Sequence, residues 1–102
     1  MKEINDDNFN RVIEQSKGVV IIHFWAKWSA PSNQLQQILD GCNFTPKPEV
    51  YILTQDSGKK TWETFKVRTI PQLLFYKDGV FKKRHKGCMT DVQLQQELKD
   101  LL

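Results

Sequence analysis

The chain has 102 residues, of which 39% are hydrophobic, 11% aromatic and 26% charged; this suffices to enclose one core and excludes a disordered chain. Its longest nearly unbroken apolar run, Val19 to Trp28, is interrupted by His23 and Lys27 and reaches only about half the length of a bilayer-spanning helix, so no membrane partner is expected. The formal charge of +3 is mild and gathers in Lys82-Lys83-Arg84-His85-Lys86, which excludes a nucleic-acid reading in the absence of interleaved aromatics or a binding motif.

Met1 to Asp7 carry acids and lack the apolar stretch of a secretory leader, so a cytoplasmic location is expected. Lys2 to Ile4 reads as a short first strand. Asn5-Asp6-Asp7 offers caps for a helix whose buried stripe is Phe9, Val12 and Ile13, stopped by Gly18. Val19 to Trp25 is β-branched and aromatic almost throughout, the pattern of a central strand covered on both faces. From Ser29 or Ala30, apolar Leu35, Ile38, Leu39 and Cys42 recur at helical spacing with Gln34, Gln36, Gln37 and Asp40 between them, which predicts a helix ending near Gly41. After a proline-bearing loop, Val50 to Leu53 is a buried strand. Ser57 then caps a short helix to Phe65, with Trp62 and Phe65 inward. Gln72 to Lys77, the turn Asp78-Gly79 and Val80 to His85 read as a hairpin. Thr90 caps a last helix carrying Val92, Leu94, Leu98, Leu101 and Leu102. The order β-α-β-α-β-α-β-β-α predicts a single α/β domain over residues 1–102, a mixed sheet with helices on both faces. Cys42 and Cys88 lie far apart without a motif and read as free thiols. No metal or cofactor is expected, and a monomer is.

Three blocks carry a more specific signal. Phe24-Trp25-Ala26-Lys27-Trp28-Ser29-Ala30-Pro31-Ser32 resembles the thioredoxin active-site signature Phe-Trp-Ala-x-Trp-Cys-Gly-Pro-Cys; Arg68-Thr69-Ile70-Pro71 resembles the loop of the family's cis-proline; and Phe75-Tyr76-Lys77-Asp78-Gly79 followed by Gly87 resembles its closing hairpin. The resemblance spans essentially the whole chain and implies the thioredoxin fold. It places Ser29 and Ser32 where the family has its nucleophilic and resolving cysteines. In the family, a helix N-terminus lowers the thiol pKa and the thiolate attacks a disulfide; a serine hydroxyl is a far weaker acid and forms no disulfide. The resemblance also places His23 and Ile52 where active relatives carry an aspartate and a lysine that handle the proton. The His-Phe-Trp-Ala spelling further resembles the degenerate thioredoxin-like domain of multidomain monothiol glutaredoxins.

Two functional readings follow. In one, the chain is a redox-silent module that holds extended peptides on a patch formed by Trp25, Trp28, Ala30, Pro31, Thr69, Ile70, Pro71 and Gly87, with Cys88 at its rim. In the other, it is a Cys-to-Ser variant, at positions 29 and 32, of a protein-disulfide oxidoreductase reduced by thioredoxin reductase. The loss of the acid and lysine as well favours the first. His23 reads as a strand histidine satisfied by a hydrogen bond, or as a pH-sensitive substitute for the acid. Cys88 is expected beside the cis-proline, either as a thiol open to mixed disulfides or glutathione adducts or as a small side chain at a crowded surface. The basic run reads chiefly as a solvated edge strand, with an acidic-partner site as the lesser reading.

Overall fold

The computed structural model describes residues 2–102. Its elements run β1 (Lys2–Glu3), α1 (Phe9–Gln15), β2 (Val19–Phe24), α2 (Ala30–Asp40), β3 (Glu49–Leu53), α3 (Lys59–Thr64), β4 (Gln72–Lys77), β5 (Val80–Lys86) and α4 (Asp91–Asp100). The strands form one sheet in the order β1-β3-β2-β4-β5. β1 and β2 pair with β3 in parallel, whereas β4 is antiparallel to β2 and to β5.

β2 is buried along its whole length, which is why its sequence shows no polar alternation. Val20, Ile22 and Phe24 pack with Phe9 and Ile13 of α1 and Trp62 of α3. Val19 and Ile21 face the other way, against Leu35 and Leu39 of α2 and Leu94 and Leu98 of α4. The sheet is thus sandwiched between two helical layers, the doubly covered α/β arrangement expected of the thioredoxin resemblance. Each fully buried Leu, Ile or Phe here contributes about 2 kcal/mol of transfer free energy. The hairpin turn has Asp78 at φ 51 and Gly79 at φ 82, both left-handed, which is the tight turn that an Asp-Gly pair favours.

Several local expectations need correction. Asp6 does not cap α1. Its carboxylate instead accepts hydrogen bonds from the backbone N–H groups of Lys60 and Thr61 and from the Thr61 hydroxyl, at 3.0, 3.0 and 2.8 Å, so a residue distant in sequence caps α3. Ser57, expected in that role, exchanges hydrogen bonds with Thr54. At the start of α1, Asn5 and Asn8 bond reciprocally, each side-chain oxygen accepting the other's backbone N–H. Gln36, one of the polar residues read between the apolar positions of α2, is buried. Of the apolar residues read onto the last helix, Val92 and Leu102 are 76% and 67% exposed, because Leu94, Leu98 and Leu101 already fill the inward stripe of α4. Thr90 caps α4 as expected, its hydroxyl accepting from the Gln93 N–H while the Gln93 side chain accepts from the Thr90 N–H.

Candidate functional site

Three connections converge at the C-terminal end of β2: residues 25–29 leading into α2, residues 65–71 leading into β4, and residues 87–90 after β5. Ser29 is the N-cap of α2, in extended conformation, with its Oγ accepting the Ser32 N–H at 3.2 Å. Pro31 sits in the first turn, where no intrahelical donor is lost, and that turn contains no acidic residue. Asn33 fixes the approach to the helix: its Oδ1 accepts the Trp25 indole N–H at 2.9 Å, and its Nδ2 donates to the Lys27 carbonyl at 3.1 Å. The loop is thereby held so that Trp28 projects outward, 81% exposed.

The Ile70–Pro71 peptide is cis. The Pro71 carbonyl accepts the Gly87 N–H at 2.8 Å, and Gly87 has φ 90, a backbone region that disfavours any side chain. The Gln72 amide donates to the Thr69 carbonyl at 2.7 Å, while its oxygen accepts from Arg84 Nε and Nη2 at 2.8 and 2.6 Å. The Cys88 thiol lies 3.5 Å from the Pro31 carbonyl. The three connections are therefore tied to one another through Pro71, Gln72 and Pro31. Among the described residues, neither the N–H nor the C=O of Ile70 enters a hydrogen bond.

Of the residues singled out from the sequence, Trp28, Ala30, Pro31, Thr69 and Cys88 are exposed, and Trp25, Ile70 and Gly87 are half-buried. Pro71 is buried and supports the patch from beneath instead of lining it. Ser29 and Ser32 are buried too, so neither hydroxyl is presented to solvent. Cys88 reaches the patch through Pro31; the contact with Pro71 is made by its neighbour Gly87.

Beneath the patch lies a polar column. His23 Nδ1 is 2.7 Å from Gln36 Oε1, and Gln36 Nε2 donates to Asp40 Oδ1 at 2.9 Å. Because the Gln36 nitrogen is engaged with a carboxylate, its oxygen faces the imidazole and His23 carries its proton on Nδ1. Burial pushes the His23 pKa down to about 4; the Gln36 hydrogen bond and the Asp40 charge oppose this only in part. The ring is thus neutral at physiological pH. Its Nε2 and the Ser32 Oγ, on the helical turn preceding Gln36, are buried without partners. His23 pairs in register with Ile52, so no lysine is available beside it. Gln36, Asn33, Gln72 and Arg84 are the structural supports that pattern reasoning missed. The one available signal was Ser32, Gln36 and Asp40 at intervals of four, a polar stripe inside an otherwise apolar helix face.

A family model described as Thioredoxin matches residues 1–100 of this chain. The chain is similar to thioredoxin of Haemophilus influenzae, 31% identical over 93 residues that cover 89% of this chain and 87% of the relative. It is also similar to thioredoxin of Pseudomonas aeruginosa, 28% identical over 93 residues covering 89% and 86%. The chloroplastic M-type thioredoxin of Pisum sativum is 27% identical over 97 residues, covering 93% of this chain but only 56% of that longer protein. With the signature loop, the cis Ile70–Pro71 bond and the Gly87 contact in place on a five-stranded mixed sheet, the chain belongs to the thioredoxin family.

Proposed function

We propose that this protein is a peptide-binding member of its family that carries out no dithiol–disulfide exchange. The observation that carries the reading is a division within one site. The parts that would hold a peptide are intact: the exposed Trp28, the Ala30-Pro31 turn and the unpaired main chain of Ile70. Both positions that would do chemistry hold hydroxyls, and that of Ser29 is engaged as a helix cap. An extended segment of another protein can pair with the Ile70 N–H and C=O as an added strand and place an apolar side chain against Trp28. Neither step needs sulfur. A hydroxyl stays protonated at neutral pH and accepts no electrons, so no mixed disulfide forms at position 29. The neutral His23 and the aliphatic Ile52 supply no charged proton acceptor beneath it. The reading further takes the protein as a monomer of the cytoplasm, a reducing compartment that suits two unpaired thiols.

The test has two arms. Short extended peptides should bind the protein and bind weakly to Trp28→Ala; absence of binding to either would remove the reading. Installing Ser29→Cys with Ser32→Cys should give only feeble insulin reduction. Vigorous turnover would instead support the second reading, a Cys-to-Ser form of an active oxidoreductase served by thioredoxin reductase.

A further inference from the structure

The three segments that build the patch share a charge bias. No acidic residue occurs in 25–34, 66–77 or 79–90, whereas Lys27, Arg68, Arg84 and Lys86 all fall within them. The fold gathers these cations. Lys27 precedes Trp28, Arg68 lies two residues before Ile70, and Lys86 is opposite Gln72 in the ladder and adjoins Gly87. The Arg84 guanidinium reaches Gln72, whose amide holds the Thr69 carbonyl. The carboxylates beside Arg68 do little to offset it. Glu63 is 3.8 Å from Arg68, but both side chains are largely open to water, and such a pair is weakly coupled. Asp56 shares a shallow depression with Arg68, where Lys59 accompanies it.

We propose, building on the peptide-binding reading above, that this groove selects extended peptides rich in Asp and Glu. The open main chain of Ile70 fixes the strand, and the cations from the flanking loops then meet carboxylates on either side of the residue seated against Trp28. A nucleic acid fits less well: it has no N–H and C=O pair to match Ile70, and the basic strand is interrupted because Lys83 is committed to Glu97.

The experiment uses labelled peptides of equal length with one apolar centre and flanks of Glu, Gln or Lys, followed by fluorescence anisotropy at about 50 and about 300 mM salt. The Glu-flanked peptide should bind about tenfold more tightly than the Gln-flanked one at low salt, with most of that advantage lost at high salt. The double variant Arg68→Glu/Lys86→Glu should reverse the ranking, and Trp28→Ala should weaken all three peptides. Equal affinity for Glu and Gln flanks, with sensitivity to Trp28→Ala retained, overturns the charge selection and leaves the peptide groove standing. Failure of every peptide to bind overturns the groove reading itself. Tighter binding of a short oligonucleotide than of the Glu-flanked peptide, or binding indifferent to Trp28→Ala, overturns the proposal by placing the cation site elsewhere.

Discussion

Among the described residues, every buried polar side-chain atom on the α1/α3 face of the sheet has a partner, whereas two on the α2/α4 face do not. The Trp62 indole donates to the Leu53 carbonyl at 3.0 Å, Thr61 bonds to Asp6, and Gln72 bridges Arg84 and Thr69. Aromatic edges complete that face, with Phe24 packed 5.8 Å from Trp62 and 6.0 Å from Phe65, centroid to centroid. Across the sheet, beneath the patch, His23 Nε2 and Ser32 Oγ remain unpaired. Unpaired buried groups cost stability. Their concentration under one helix end marks a region shaped by a requirement other than folding. The α1/α3 face, free of that cost, is the stronger of the two.

The comparison can be broken in several ways, the largest first. Phe24→Ala removes the shared aromatic anchor and should cost about 4 kcal/mol by urea unfolding; a loss under about 1 kcal/mol would show that the α1/α3 face is not the stronger one. The His23 effect is a pH dependence. Its folded pKa, about 4, lies below the ordinary 6.5, so the unfolded chain binds the proton more readily as acidity rises. The His23 contribution is fully present above about pH 6.5 and declines as pH falls toward 4, by roughly 3 kcal/mol in all. His23→Leu should flatten that part of the stability profile; an unchanged slope would assign it to other groups. Asp6→Ala, which strips three hydrogen bonds from the start of α3, should cost about 1–2 kcal/mol in thermal or urea unfolding. The smallest effects make the sharpest pair: Thr61→Val should destabilise by about 1 kcal/mol and Ser32→Ala should stabilise by a similar amount, since only the first hydroxyl has a partner. Equal and unfavourable changes would mean that Ser32 is satisfied after all.

The elements visible in the sequence were those governed by local rules. An Asp-Gly turn, a Thr90…Gln93 capping box and an apolar strand covered on both faces each declare themselves over a few residues, and so does a signature loop spelled with Ser29 and Ser32. What stayed hidden depends on partners distant along the chain. Asp6 looked like a cap for the nearest helix and serves one that begins more than fifty residues later. Gln36, read among the polar residues between the apolar positions of α2, is buried because His23, on another element, offers it a hydrogen bond. Val92 is apolar at the correct end of α4 but on its outer side. In the patch, Pro71 was read as part of the surface and is buried beneath the one that Trp28, Pro31 and Ile70 form.

The hairpin turn has one more consequence. Gly18, just before β2, and Asp78, in the turn, hold each other twice, through Asp78 N–H to the Gly18 carbonyl at 3.0 Å and Gly18 N–H to the Asp78 carboxylate at 2.7 Å. The far end of β4 is fastened to β5 instead, by Gly87 on Pro71. The β2–β4 ladder is therefore clamped at its turn end and flanked on its two sides by β3 and β5. Its amides should exchange deuterium only when the whole molecule opens, making them the slowest in the protein and a direct gauge of its global stability.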